Sequence, residues 1–408
     1  MVVQKIDKST LTQALTISAI SFNWNFNPHT FDVEESIQQK ENSPNSPSEQ
    51  YWKEQWVCLE DEKVIGCVGA FPYPVYFDGH VVNMSGIGGV CTLPEYRRQG
   101  VIRKCFETIF PYMKDQKQLF SVLYPFYIDY YRQFGYELFG KITTFETPLK
   151  DIPKVPVTGT ILSYTESRLK DIEQIYIQFA SQYNLAVQRR TVDWKRLTNL
   201  NPPEQQIFGY VYYDNQKTPK GYVFFHKEIE QNEAIMVCSQ TFRPYEFCFT
   251  DQESFLQLLQ FLQNFHNYYQ KLRFQTPESI DVSYLFPNGI SEKHSTPVML
   301  RAIDVEEIFK IAKYQGSGKA FIEIQDQQIP DNCGTWEVCF ENGSAVTVLR
   351  HQDKPADIRL SIGAFSSLIV GTHDLCEIEY LKGVTLLQNH SDLSKVFYRK
   401  KNWIGDFF

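Results

Sequence analysis

The sequence predicts a chain of mixed α/β and α+β class divided into three units, and three observations carry that reading. A helix followed by a hairpin occurs twice, about 150 residues apart. A strand-like stretch ending at Thr92 runs through Arg97-Arg98-Gln99-Gly100 straight into a helical run. From about residue 296 onward the strand-like segments outnumber the helical ones. Repetition of one supersecondary plan points to duplication, and the change of pattern marks a third unit.

In chain order, residues 8–21 are helical, and residues 56–71 read as two apolar strands around a charged Glu60-Asp61-Glu62-Lys63 turn. Residues 38–50 are polar and rich in Pro and Ser, a solvated connector. The second copy starts with residues 167–182, where Leu169, Ile172, Ile175, Tyr176 and Phe179 keep helical spacing. Its hairpin spans residues 209–225 with Asp214-Asn215 as the turn. A helix over 254–273 follows, opened by a capping box at Thr250-x-x-Glu253. The last unit opens with a strand in T-P-V-M-L-R-A-I-D-V-E-E-I-F and a short helix. Strands at 319–325, 335–341, 345–350 and 357–360 come next, then helical runs at 361–370 and 391–400. The expected units are therefore 1–150, 151–293 and 294–408.

A chain of 408 residues exceeds one ordinary hydrophobic core, and 43% hydrophobic residues with 15% aromatics describe folded domains. The net charge of −8 excludes a sequence-independent nucleic-acid binder, which needs a basic field. The nine cysteines show no C-x-x-C and sit mostly in apolar runs, as buried free thiols do; no metal is expected. With no apolar signal core and no stretch long enough to span a bilayer, a cytoplasmic protein without membrane or nucleic-acid partners is expected.

The chemistry concentrates in residues 90–103, V-C-T-L-P-E-Y-R-R-Q-G-V-I-R. A glycine-containing bend at a helix N-terminus exposes consecutive backbone N–H groups, and arginines add charge, which is the wiring of a pyrophosphate cradle. This segment resembles the acetyl-CoA signature of the GNAT N-acetyltransferases, with Ile102 where that family usually has Gly or Ala. Residues 125–136, P-F-Y-I-D-Y-Y-R-Q-F-G-Y, resemble the segment with which GNAT domains bring a tyrosine to the cofactor's sulfur. The second copy has no Arg-x-x-Gly before its helix, so it reads as a GNAT-like unit without a cofactor site.

Over essentially its whole length the chain resembles the Eis (enhanced intracellular survival) acetyltransferases: tandem GNAT-like domains followed by a sterol-carrier-protein-like α+β domain. The resemblance implies acetyl-CoA as cosubstrate, a small-molecule amine or lysine as acceptor, and hexameric assembly. It implies that Val90, Cys91 and Thr92 face the pantetheine arm. Arg97, Arg98, Gln99, Gly100, Val101 and Ile102 would hold the pyrophosphate, and Tyr131 would be the proton donor. No carboxylate stands in Ser85-Gly86-Ile87-Gly88-Gly89-Val90, where many GNAT enzymes carry a glutamate. The family supplies a base from its buried chain end, here Trp403-Ile404-Gly405-Asp406-Phe407-Phe408, so the Phe408 carboxylate inherits that role. Trp24, Asp32, Glu34, Glu35 and Phe407 are the expected acceptor-site residues. Phe407 stands where some aminoglycoside-modifying members have an acid. Two other functions compete: an apolar-ligand-binding protein built on the third domain, and a scaffold whose GNAT site has decayed, for which Ile102 speaks.

Overall fold

The structure is a computed structural model and describes residues 1–42, 51–198, 207–226, 229–232, 235–238, 241–388 and 392–407. The first stretch contains β1 (Val2–Lys5), α1 (Lys8–Phe22), α2 (Val33–Asn42), β2 (Gln55–Glu60), β3 (Lys63–Phe77) and β4 (His80–Thr92). It continues with α3 (Val101–Asp115), β5 (Gln118–Leu123), α4 (Ile128–Arg132), β6 (Glu137–Phe139) and β7 (Ile142–Pro148). The middle stretch has β8 (Thr160–Ser163), α5 (Leu169–Ala180), α6 (Thr191–Thr198), β9 (Ile207–Tyr213), β10 (Pro219–His226), β11 (Ile229–Asn232) and β12 (Ile235–Cys238). After these come β13 (Thr241–Phe242), β14 (Pro244–Phe249), α7 (Gln252–Gln263), β15 (Lys271–Pro277) and β16 (Ser291–Ser295). The last stretch holds β17 (Val298–Ala302), α8 (Val305–Ile311), β18 (Gly318–Gln325), β19 (Gly334–Glu341) and β20 (Ser344–His351). It ends with β21 (Ile358–Ser361), α9 (Ile362–Ile369), β22 (Val384–Leu386) and α10 (Leu393–Val396).

The main sheet of the first unit has the order β1-β2-β3-β4-β5-β17-β6. On one face, α3 buries Val101, Ile102, Cys105, Phe106, Ile109, Phe110 and Met113, an apolar stripe at helical spacing. On the other, α1 buries Leu11, Ala14 and Ile17 and is started by Asp7, whose carboxylate accepts from the amides of Ser9 and Thr10. The second unit pairs β14-β10-β9-β8, and the third forms β20-β19-β18-β21-β22 over a core that includes Trp336, Phe340 and Phe365.

The units exchange strands. β17, which the sequence places at the head of the third unit, pairs antiparallel with both β5 (Leu300 opposite Val122) and β6 (Met299 opposite Leu138). In return, β7 leaves the first unit and pairs with β15 and β16. All five residues of β17 are buried, as a strand with neighbours on both sides and layers on both faces requires.

Other boundaries also differ from the sequence reading. The helix expected over 254–273 ends at Gln263, and Lys271–Pro277 is a strand whose Leu272, Phe274 and Thr276 alternate inward. Asn264, His266 and Asn267 interrupt the helical run because such side chains compete for backbone hydrogen bonds. Its cap is Asp251 with Ser254, one residue on from the Thr250–Glu253 box expected. The run at 391–400 shrinks to Leu393–Val396, and α2 continues to Asn42 through the start of the expected 38–50 connector, whose residues 43–50 lie outside the described residues.

Candidate active site

β4 and β5 run parallel, paired from Asn83 opposite Gln118 to Ile87 opposite Leu123, and beyond that point they part. A bulge drives β4 away. Between Cys67–Cys91 and Gly69–Gly88, two steps on β3 face three on β4, and Gly89 inside this stretch has φ +59°. The splay leaves residues 88–92 of β4 without a ladder partner on the β5 side among the described residues. Val90 and Thr92 are half-buried. Cys91 is buried in the cluster with Leu11 and Ile17 and pairs with Cys67 of β3.

Beyond β4 the chain turns through Pro94–Tyr96 into α3. Arg98 has φ +63° and Gly100, the cap of α3, has φ +82° with no side-chain hydrogen bond. The first bond of the helix runs from the Lys104 N–H to the Gly100 carbonyl at 2.9 Å, so the amides of Val101, Ile102 and Arg103 have no intrahelical acceptor. A Cβ built on Gly100 meets nothing within 4 Å, and the same holds at Gly89. Arg97, Arg98 and Gln99 are exposed. The Val101 and Ile102 side chains are buried against Cys105 and Phe106. Ile102 therefore faces the core, and the larger side chain leaves the cradle open.

The second unit makes an instructive contrast. There α7 is capped by Asp251, whose carboxylate accepts the Ser254 amide at 2.8 Å. A fixed anion already occupies that helix start, where a second one would be repelled.

Tyr131 lies on α4 and is 3% exposed, with the rings of Phe126, Tyr130 and Tyr136 set edge-on to it at 5.5, 5.2 and 6.1 Å. Burial first, then the neighbouring phenols of Tyr130 and Tyr136, push its hydroxyl well above the ordinary tyrosine value. The two buried tyrosines of this turn differ. Tyr136 is bonded to Ser121 at 2.6 Å, whereas the Tyr131 hydroxyl has no hydrogen-bond partner among the described residues.

The chain end is held by residues the sequence reading did not single out. Asp406 accepts from Arg189 Nε at 2.8 Å and from the Tyr176 hydroxyl at 3.1 Å, and its carbonyl accepts from the Tyr124 hydroxyl at 2.9 Å. Arg189, 4% exposed in its side chain, also donates to both carboxylate oxygens of Glu246 and lies 4.0 Å from the Tyr176 ring centroid. Phe407 packs its ring on Tyr124 at 4.8 Å, at the mouth of the splay, and Phe408 lies outside the described residues. One signal was available: a lone Asp inside an apolar tail needs a cation when it is buried.

The expected acceptor-site acids are not brought together. Asp32 accepts the Glu35 amide at 2.9 Å as a helix cap, and Glu34 pairs with Lys8 on the surface at 2.7 Å. Trp24 is 41% exposed and leans on Phe26, while Glu35 is exposed.

Residues 2–139 match the family model of an acetyltransferase (GNAT) domain, residues 185–302 match a second model of that description, and residues 305–405 match that of a sterol carrier protein domain. The chain is thus a GNAT-type acetyltransferase with two such domains and a sterol-carrier-type third. Its architecture over the full length is Eis-like. Eis1 from Mycobacterium abscessus is similar in fold with 16% identity and a TM-score of 0.78, covering 100% of both chains. A probable N-acyltransferase from Enterococcus faecalis V583 has 21% identity and a TM-score of 0.84 over 100% of this chain and 99% of its own. A GCN5-related N-acetyltransferase from Anabaena variabilis has 20% identity and 0.83 over 100% of both. No curated protein matches the sequence.

Proposed function

We propose that the first unit alone binds acetyl-CoA and transfers its acetyl group to a primary amine, either of an aminoglycoside-like or polyamine-like small molecule or of a lysine. The contrast between the two helix starts carries this reading. In the first unit Gly100 leaves the α3 amides open and space above them, and in the second Asp251 fills the equivalent position. Arg97 and Arg98 beside those amides suit a pyrophosphate, and Gln99 completes the bend. Acetyl-CoA, when bound, supplies a thioester whose carbonyl must be polarised and whose thiolate must be protonated. In this reading Val90 and Thr92, flanking Cys91 on the bulged strand, direct backbone N–H groups toward the carbonyl. Tyr131, kept protonated by burial, donates to the departing sulfur.

For the acceptor's proton, the carboxylate of Phe408 is the proposed base. The resemblance brings that role, and the grip on Asp406 and Phe407 at the mouth of the splay supports it. A terminal carboxylate has an ordinary pKa of about 3.5 and is ionised at neutral pH. Deleting Phe407 and Phe408 is expected to reduce transfer to background with acetyl-CoA affinity retained. Wild-type turnover in the truncated chain returns the base to water.

The acceptor is sought by following acetyl-CoA consumption over polyamines, aminoglycosides and lysine peptides. Turnover with none of them, together with a co-purifying lipid, favours the apolar-ligand reading. Gly100→Val tests the cradle. A β-branched side chain at φ +82° is strained, and its methyls enter the space above the α3 amides. The dissociation constant of acetyl-CoA is expected to rise at least about tenfold by calorimetry, the loss of one or two phosphate hydrogen bonds. Unchanged affinity removes the pyrophosphate from residues 97–102.

A further inference from the structure

We propose that Arg301, backed by Asp326, is a positioning residue for Tyr131, so that the third domain sets the geometry of proton donation. The inference rests on Tyr131 being the proton donor of the proposed reaction. Arg301 is the fourth of the five residues of the exchanged strand β17 and is fully buried, as is the Asp326 side chain. Its Nη2 donates to both carboxylate oxygens of Asp326 at 2.8 and 2.7 Å, and its Nη1 donates to the Phe134 carbonyl at 2.6 Å. The guanidinium lies 4.4 Å from the Phe110 ring centroid. Asp326 is itself fixed by Asn332 Nδ2 at 2.9 Å and by the amides of Gln328 and Ile329.

The carbonyl that Arg301 holds belongs to the turn that aims Tyr131. The Tyr131 carbonyl accepts the amides of Phe134 at 3.0 Å and Tyr136 at 3.3 Å, which closes the turn onto α4. Gly135, at φ +81°, lets Nη1 approach so closely that a Cβ there would stand 2.1 Å from it. Behind the turn, Ile362 and Gly363 of α9 pack on Gly135. The glycine of the tyrosine motif is therefore required by a cation delivered from more than 160 residues further along the chain, at position 301.

Packing alone does not account for this cation. An apolar residue of similar volume fills a buried site about as well, and a buried ion pair is weak support for stability. Arg301 even keeps its Nε buried without a hydrogen-bond partner. What an apolar residue lacks is a donor for the Phe134 carbonyl. Arg301 also stands opposite Ser121 on β5, and Ser121 binds the hydroxyl of Tyr136, whose ring abuts Tyr131.

The test is a double-mutant cycle on the full chain with the best amine found in the consumption screen. Arg301→Lys keeps a cation near Asp326 and gives up the fixed fork to Phe134. Its kcat is expected to fall about 10–100-fold, the cost of a small misplacement, with acetyl-CoA affinity within about twofold. In a Tyr131→Phe background the same substitution is expected to change kcat by less than about twofold, since the group being positioned is gone. Equal losses in both backgrounds, or no loss in the wild type, overturn the proposal. If Arg301→Lys does not fold, Asp326→Asn takes its place in the same cycle with the same deciding outcomes. Failure of the underlying reading shows separately, as wild-type kcat in Tyr131→Phe alone.

Discussion

Tyr131→Phe is expected to lower kcat by about 10²–10⁴-fold while leaving the KM of the acceptor amine nearly unchanged. Phenylalanine preserves the edge-on packing against Phe126, Tyr130 and Tyr136, so the fold loses only one hydroxyl. That hydroxyl has no partner among the described residues, hence no structural hydrogen bond is broken. Its raised pKa also fixes the pH behaviour. Burial disfavours the phenolate, so the donor stays protonated through and above pH 10, and loss of the donor produces no alkaline fall in kcat below that value. Tyr136→Phe is the control, since it breaks the bond to Ser121 and should act on stability instead. Wild-type kcat in Tyr131→Phe would return Tyr131 to the core.

Arg189→Met should destabilise the protein by about 3–5 kcal/mol, the usual cost of removing one partner from a buried ion pair. The reason is arithmetic of charge. Arg189 neutralises two largely buried carboxylates, Asp406 from the tail (side chain 10% exposed) and Glu246 from β14 (13%), and without it both lose their cation. Tyr222 and Tyr176 can still donate to them, which keeps the loss from being larger. Asp406→Asn should cost less, because Arg189 retains its two bonds to Glu246. Chemical denaturation followed by tryptophan fluorescence reads the change, as Trp194 lies 5.0 Å from the guanidinium. A loss below about 1 kcal/mol would mean that water reaches the cluster and screens it.

Much of the candidate site was legible because it is contiguous. A helix start, a glycine at positive φ and flanking arginines are all set by residues 97–102, and each rests on local sterics and hydrogen bonding. The orientation of Ile102 came from the structure, which buries it with Cys105, Phe106 and Ile109, whereas from the sequence its departure from the family pattern reads as a sign of decay. The acids at 32, 34 and 35 show the opposite case. Their charge was visible, but a cap and a surface ion pair use two of them locally, and nothing in the pattern announces that.

Hydrophobic periodicity and turn chemistry thus determined, from the sequence by itself, that there are two helix-and-hairpin units and a strand-rich third, and that only the first carries an Arg-x-x-Gly bend before its helix. The tertiary structure alone decided which strands pair across unit boundaries. It placed β17 between β5 and β6, set Arg301 on the carbonyl of Phe134, and closed Arg189 over Asp406, 217 positions apart. Local patterns arise from interactions within a few residues, where identity and spacing are enough. Pairing at such separations depends on which buried charge and which unpaired strand edge find each other once loop closure has been overcome, and that cost grows so slowly with length that the sequence carries no mark of the choice.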